Sequence, residues 1–530
     1  MKSVLSSLLL VIVIAIGSPQ AIAQTAGPSA QSPAQQCASL PTQDFGGIAD
    51  APTQVVAASA VAAANDVPAY CQVQGYITPN VGFEMRMPLT DWNGKFIHQG
   101  CGGWCGSLSH AIACDLAVRR GYACIVTDMG HKSTALDGKW AYNNLQGEVD
   151  FGFRATHVTT VAGKAIAAAF YGAGPRRAYF VGCSTGGRQG MFEAQRFPYD
   201  FDGIVSGAPV VDETGDAVVL LWAVKSLHDA NGVALLGSRE LKWVHDAVVA
   251  QCDMNDNVRD GLIGDPRACN FDPHAMLCPR GGNAQCLTEV QANAVAAVYA
   301  GPKDSKGRSI SVAHAFPGSE LNWINNYVRD GGLPSIYAGF MTEMFRYLNF
   351  SPDPGPSWQM SQFNWDVDYK RIAVMEALYN AQNPDLRKFK AAGGKIIAYQ
   401  GWADQSVLPP WVIDYYETVE HTMGGRAATQ DFFRLFTLPG VNHCLGGEGA
   451  DQVDYLGYLD AWVEQGKAPD MMVAAHVTVG PGIAPYLMRH PIDPAKFEFS
   501  RPLYPYPLRT VYKGKGDPRD ANSYKAVAPR

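Results

Sequence analysis

Residues 177–191, RAYFVGCSTGGRQGM, decide how this chain is read. Arg177 to Val181 are rich in aromatic and β-branched residues and predict a short buried strand. Gly182-Cys183-Ser184-Thr185-Gly186 then makes a G-x-S-x-G turn, and Gly187 to Gln195 continue as a helix. Strand, tight turn, helix is the setting in which this motif holds a serine hydroxyl exposed above a sheet. Gly182 and Gly186 remove side chains where strand and helix pass closest. In a chain with 54 glycines the five residues alone could match by accident, so the reading rests on residues far downstream.

Two later strands end in the residues that complete the chemistry. Lys395 to Gln400 run into Gly401-Trp402-Ala403-Asp404, and Phe432 to Leu438 run into Gly440-Val441-Asn442-His443-Cys444. In an open α/β sheet, active groups gather beyond the carboxyl ends of the strands. Ser184, Asp404 and His443 all follow a strand, in the order Ser, Asp, His that α/β-hydrolases use. Serine is a poor nucleophile until a neutral imidazole takes its proton, and a carboxylate fixes the imidazole's tautomer. Asp404 alone would read as a turn former and His443 alone as one of 12 histidines; the ordered set carries the assignment. His98, His110 and His131 compete for the role of base, but all precede the serine. Cys183 precedes the candidate nucleophile and Cys444 follows the candidate base, so a disulfide between them would tie the two loops together beside the reacting atoms.

The rest of the chain supplies the frame. At 530 residues it can build a large core and more than one structural unit, and 47% hydrophobic with 17% charged residues is a globular balance. A net charge of −7 gives no basic footprint for nucleic acid. Residues 1–23, with Lys2, the apolar run Leu8 to Ile16 and Ala21-Ile22-Ala23, read as a secretory signal cut before Gln24. No later stretch is long and apolar enough for a membrane helix, so a soluble exported protein, secreted or periplasmic, is expected. All 12 cysteines lie beyond the leader, which fits an oxidising compartment.

Alternation from Tyr70 to Met87 predicts antiparallel strands, and Lys95 to His98, Tyr122 to Thr127 and Gly203 to Ser206 predict short buried ones. Ala111 to Arg120, Arg154 to Tyr171 and Gln452 to Gln465 predict helices, and Tyr504 to Tyr512 a final strand or hairpin. Strand and helix alternate through residues 24–209 and again through 385–530, which predicts one α/β catalytic domain with a mostly parallel sheet. Between them, residues 210–384 lose the alternation and read as an inserted lid. Gln99 to Gly106 fails the dinucleotide motif at Cys105 and reads as a disulfide-stiffened turn presenting N–H groups.

These motifs resemble the tannase and feruloyl esterase family. The marks are Gly182 to Arg188, Trp402-Ala403-Asp404 and Asn442-His443-Cys444, the family's CS-D-HC pattern, with Thr127 to His131 and Phe316-Pro317-Gly318 as further family stretches. The resemblance covers most of the mature chain. It implies an α/β-hydrolase core with an inserted lid, acting on esters of aromatic acids such as hydroxycinnamic, gallic or terephthalic-type acids. It also implies disulfides Cys183–Cys444, Cys37–Cys71, Cys252–Cys269 and Cys278–Cys286, and leaves Cys101, Cys105, Cys114 and Cys124 unassigned.

The acidic run Cys252 to Leu262 is not an EF-hand, because Val258 stands at the loop glycine and Gly264 at the closing glutamate. Read as residues it is an acidic turn or a site for a hard cation. Resemblance to the family's lid loop implies structural calcium, held by the carboxylates of Asp253, Asp256 and Asp260 and the carbonyls of Val258 and Leu262. Ser184 is thus expected as nucleophile, His443 as general base and later acid, and Asp404 as orienter. The oxyanion donors are expected at the backbone N–H of Thr185 and in the Gly102 region, the residue in the Gly100–Gly106 loop being left open. Two other readings stand beside this one: a serine hydrolase of another specificity, such as a peptidase, and a non-catalytic calcium-stabilised binding protein on the same scaffold. For substrate, about half of the aromatic run Phe345, Tyr347, Phe350, Trp358, Phe363 and Trp365 is expected to pack the lid's own interior, and the remainder to form a stacking wall over Ser184 that prefers aromatic acyl groups to long aliphatic ones.

Overall fold

The computed structural model describes residues 31–279, 285–477 and 494–529; the expected leader, 1–23, lies outside the described residues. Nine strands form the central sheet: β1 (Thr53–Val61), β2 (Tyr70–Ile77), β3 (Val81–Pro88), β4 (Lys95–Gln99), β5 (Ala123–Thr127), β6 (Arg177–Cys183), β7 (Gly203–Gly207), β8 (Lys395–Gly401) and β9 (Phe433–Leu438). Their spatial order is β1-β2-β3-β5-β4-β6-β7-β8-β9. β1 pairs antiparallel with β2, β2 with β3 and β3 with β5, and every pairing beyond β5 in that order is parallel. This is an α/β-hydrolase sheet. All five residues of β4, β5 and β7 are buried, as expected of parallel strands covered on both faces.

The covering helices follow from strand alternation. Tyr179 and Phe180 are successive residues of β6 and point to opposite faces. A Cβ on Gly190, in helix Thr185–Arg196, would lie 3.0 Å from the Phe180 ring. On the other face, the Tyr179 hydroxyl donates to Asp460, in helix Tyr455–Gln465, at 2.7 Å. Helix Ala155–Tyr171 packs on β4 and β5, where a Cβ on Gly163 would meet Phe96 and Ile125 at under 3 Å.

The register levels the carboxyl ends. Gln99 pairs with Val181, Cys183 with Gly207, and Gly401 with Leu438. The loops that leave β4, β6, β8 and β9 therefore emerge together along one edge of the sheet.

Between β7 and β8 the described residues add no strand to this sheet and form, among others, helices Glu213–Ser226, Ser238–Cys252, Glu289–Ala300 and Ile336–Tyr347. Phe345 centres an aromatic cluster here, with ring centroids 5.6 Å from Phe350, 5.2 Å from Trp358 and 5.0 Å from Phe363. Phe345, Tyr347, Phe350, Trp358 and Phe363 are buried and Trp365 is partly so. The stacking wall expected of part of this set is thus corrected: Phe345, Phe350, Trp358 and Phe363 cluster together, Trp365 packs on Phe363 and Trp222, and Tyr347 on Tyr142, because rings paired with one another remove more apolar surface from water than rings facing an open cleft.

Other departures are local. Thr53 to Val61, Ala/Val-rich and without a strand pattern in the sequence, is the edge strand β1. The helix expected from Arg154 is preceded by a turn of α-helix at Leu145–Val149 and a π turn at Asp150–Arg154. Ala111 to Arg120 splits into a 3-10 turn, Ser109–Ala113, and a helix, Cys114–Arg119. Tyr504 to Leu508 is a turn, and only Arg509–Tyr512 is extended, paired with Tyr524–Val527.

Six disulfides join Cys37–Cys71, Cys101–Cys105, Cys114–Cys124, Cys183–Cys444, Cys252–Cys269 and Cys278–Cys286. No helix among the described residues is long and apolar enough to cross a membrane.

Candidate active site

Ser184 sits at the break between β6 and the next helix, with φ 63° and ψ −126°. That backbone conformation is costly for a residue with a Cβ, and the surroundings enforce it. The Ser184 N–H donates to the Gly207 carbonyl at 3.0 Å, and the Ser184 carbonyl accepts from Arg188 N–H at 3.0 Å. A Cβ on Gly182 would lie 2.5 Å from the Gly186 carbonyl carbon, and one on Gly187 2.3 Å from the Gly207 oxygen. Only glycine permits strand and helix to pass this closely.

Asp404 follows β8 and is 1% exposed. Its Oδ1 accepts from the Ser406 and Val407 N–H groups at 2.8 and 3.0 Å, and Oδ2 from Gln400 Nε2 at 3.0 Å. His443 Nδ1 lies 3.1 and 3.0 Å from the two carboxylate oxygens. The loops are laced directly: Trp402 N–H donates to Leu438 O at 2.9 Å and Ala403 N–H to Val441 O at 3.1 Å. From the segment between β7 and β8, Asn322 Nδ2 donates to Ala403 O at 2.8 Å and Tyr327 OH to Gln405 O at 2.6 Å, while the Tyr337 and Ser406 hydroxyls are in contact.

The disulfide Cys183–Cys444 joins the residue before Ser184 to the residue after His443. Ser184 and His443 both line a cavity of about 720 Å³. Among the described residues no hydrogen bond links the Ser184 hydroxyl to His443; such bonds often tighten only when substrate binds.

Gly102 lines the same cavity. Its loop is held by the Cys101–Cys105 disulfide and by Gln189, whose Oε1 accepts from Cys101 N–H at 3.3 Å. Thr185 Oγ1 donates to Gly103 O at 2.7 Å, fixing the loop to the start of helix Thr185–Arg196. Among the described residues the N–H groups of Thr185 and Gly102 have no hydrogen-bond partner. Trp104 stacks on Phe340 at 4.1 Å between centroids, so the Gly102 loop also touches helix Ile336–Tyr347.

The remaining wall carries Ser107, Ser109, His110, Ser133, Thr134, Leu136 and Leu445. None of these stands out as wall in the sequence, because serines and threonines in loops carry no signal of their own. Burial pushes the His110 imidazole down to about 4, so it is neutral at pH 7. Burial likewise pushes His98 to about 3, with Thr160 at its Nδ1, and lowers His131, which stacks on Trp140 and bonds the Trp104 carbonyl. Neither His98 nor His131 lines the cavity.

The acidic loop lies apart from the cavity, after helix Ser238–Cys252. Asp253 accepts from the N–H groups of Asp260 and Gly261 at 3.1 and 3.3 Å, and Asp256 from Val258 at 3.2 Å. Asp260 accepts from Leu262 N–H at 3.1 Å and pairs with Arg501. Burial, with the Asp260 and Asp253 charges beside it, pushes the Asp256 carboxyl up to about 7. Three carboxylates share this loop and Arg501 pairs with only one of them, a donor set that suits a hard cation. The three carboxylates do not all bring oxygens within 4.8 Å of one another, so the Val258 and Leu262 carbonyls would have to complete the shell.

Comparison with known proteins agrees with this architecture. The profile of the family described as tannase and feruloyl esterase matches residues 65–527. An uncharacterized esterase of Xanthomonas campestris pv. campestris is 33% identical over 96% of this chain and 93% of its own length. The mono(2-hydroxyethyl) terephthalate hydrolase of Piscinibacter sakaiensis is 33% identical over 89% of this chain and 87% of its own. Feruloyl esterase B from Aspergillus oryzae superposes with a TM-score of 0.80 at 26% identity, over 94% of this chain and all of that one. With its fold and its CS-D-HC residues brought to one sheet edge, the chain belongs to the tannase and feruloyl esterase family.

Proposed function

We propose that this protein is a serine carboxylesterase that cleaves esters of aromatic acids through an acyl-enzyme. The observation that carries the reading is Ser184 at a strained strand–helix turn, sharing one cavity with a His443 whose Nδ1 is held by buried Asp404. The Ser184 hydroxyl attacks the ester carbonyl while His443 Nε2 takes its proton and returns it to the leaving alcohol. Asp404 holds the imidazole with Nδ1 protonated and stabilises the cation. The free N–H groups of Thr185 and of the Gly102 loop are suited to the oxyanion. Water then enters, gives its proton to His443, and releases the acid and Ser184.

An aromatic acyl group is supported by what the relatives are named for, a terephthalate monoester and feruloyl esters. The cavity joins an apolar wall at Ala113, Ala135, Leu136 and Leu445, on which a ring packs, to the hydroxyls of Ser107, Ser109, Ser133 and Thr134 and the neutral edge of His110, which suit ring hydroxyls or a ring carboxyl. Residues 210–384 act in this reading as the lid over the site, and six disulfides support work outside the cytoplasm.

The test is Ser184→Ala, expected to fold as the parent does and lose kcat by about a millionfold, with residual catalysis from the oxyanion donors. A fluorophosphonate probe should label the parent and not the variant. Parent-like turnover in Ser184→Ala, or no labelling of the parent, sinks the reading and favours a binding protein. A panel of methyl ferulate, methyl gallate, a terephthalate monoester, methyl laurate and peptide anilides separates an aromatic esterase from a peptidase. Laurate or anilide cleaved faster than every aromatic ester rules the substrate class out.

Calcium is proposed for the loop at Asp253, Asp256 and Asp260 as a structural ion. In binding, it would lower the repulsion among the three carboxylates and fix the turn after Cys252. Chelation is expected to lower Tm, since an ion that binds only the folded state stabilises it, and to leave the chemistry of the folded enzyme unchanged. An unchanged melting curve in chelator, with no calcium by elemental analysis, contradicts the site.

A further inference from the structure

A second group of ligating side chains lies under the nucleophile helix, about 13 Å along its axis from Ser184 by the rise of nine residues. His157 projects from helix Ala155–Tyr171, Glu193 from the last turns of helix Thr185–Arg196, and Asp200 from the turn beyond it. One nitrogen of His157 and one carboxylate oxygen each of Glu193 and Asp200 lie within 4.8 Å of one another. His157 Nδ1 is 2.6 Å from Asp200 Oδ2, and its ring is fixed by stacking on Phe197 at 3.9 Å.

Glu193 is the telling member. It is 1% exposed, and among the described residues neither of its oxygens has a hydrogen-bond partner. A carboxylate buried without a partner is costly. The nearby ammonium of Lys164 hydrogen-bonds the backbone carbonyl of Asp200 and not Glu193. Burial, with Asp200 alongside, raises the Glu193 carboxyl well above the usual range.

We propose that His157, Glu193 and Asp200 bind one divalent transition-metal ion of the Zn²⁺ type, which fastens the two helices together beneath the nucleophile. Ligands at about 2.0–2.2 Å from such an ion stand about 3.4 Å apart, so a small contraction of the present cluster suffices. A mixed imidazole and carboxylate set selects zinc over calcium or magnesium, which take oxygen shells. His157 and Asp200 keep 19% and 14% of their side-chain surface, giving the ion access from solvent. An imidazole and carboxylates ligate a metal only in their deprotonated forms, so affinity falls as pH falls.

The experiment titrates the mature, chelator-stripped protein with ZnCl₂ in excess calcium at pH 7.5, by calorimetry and by Tm. One zinc per chain is expected, raising Tm, with Glu193→Gln and His157→Asn each binding at least about a hundredfold more weakly, the upper end of what loss of an outer-shell partner costs. Cobalt should give a visible d–d band in the parent that is absent from Glu193→Gln. Basal esterase activity should be the same in all three. Absence of zinc binding in the parent, or equal binding by the parent and both variants, overturns the proposal. A zinc-free parent that Glu193→Gln stabilises above neutral pH does so too, and identifies Glu193 and Asp200 as an acid pair sharing a proton.

Discussion

At the scale of single residues, Asp404 shows how little freedom the site leaves. Its two oxygens receive the Ser406 and Val407 N–H groups, the Gln400 amide and His443 Nδ1. Asp404→Asn keeps the shape but must turn an NH₂ toward one set of donors. Facing His443, that NH₂ favours the tautomer with Nδ1 bare and Nε2 protonated, which cannot accept the Ser184 proton. We expect kcat to fall by about ten-thousandfold with the fold retained, measured by steady-state kinetics alongside circular dichroism. A loss smaller than tenfold would remove Asp404 from the proposed triad. Ser184, Asp404 and His443 are legible in the sequence because the chemistry restricts each residue type and each follows a strand. Gln189 and Gln400, which hold the Gly102 loop and Asp404, are not: a glutamine becomes informative only when its partner across the fold is known.

At the scale of elements, the parallel strands are readable as short apolar runs because both their faces are buried, whereas β1 is hidden by alanine and serine, which carry little strand preference. The aromatics between β7 and β8 suggest a wall in the sequence because it shows clustering but not direction. The cysteine pair beside the triad has the clearest consequence. Ser184 and Cys444 both have positive φ, 63° and 65°, and each such residue costs about 1–3 kcal/mol that the surroundings must sustain. The Cys183–Cys444 bond lies next to the first strained residue and within the second, and closes a span of 261 residues. Replacing both cysteines by alanine is expected to lower stability by up to about 5 kcal/mol. It should also lower kcat/KM by at least about tenfold, since the serine and histidine loops can then drift apart. Denaturant melts and kinetics below the new Tm separate the two effects; a double variant that keeps the parent's rate and Tm shows the bond to be dispensable.

At the scale of the whole molecule, the inserted segment and the histidine loop are joined by one imidazole. His245, in helix Ser238–Cys252, lies 3.1 Å from Glu320 and 3.2 Å from Glu448, five residues beyond His443. The Glu320 carboxylate also receives the Tyr299 hydroxyl. Burial opposes a charge on His245, but hydrogen bonds to Glu320 and Glu448 outweigh it and raise the imidazole to about 9. A histidine whose folded value exceeds its unfolded value of about 6.5 contributes its full stability below pH 6.5 and loses it as pH rises through 9. Glu148, pushed by burial up to about 7, acts in a lower window: its destabilisation begins near the unfolded carboxylate value and is complete once pH passes 7. Between pH 7 and 9 the loss belongs to His245, on the order of 2 kcal/mol once the exposure of Glu448 is allowed for. Tm of the parent should therefore drop by a few degrees across that interval, while His245→Gln, less stable at pH 7, shows a nearly flat curve. Parallel curves for the two proteins from pH 7 to 9 would show that the imidazole carries no charge between its carboxylates, and that the segment and the histidine loop are held by packing alone.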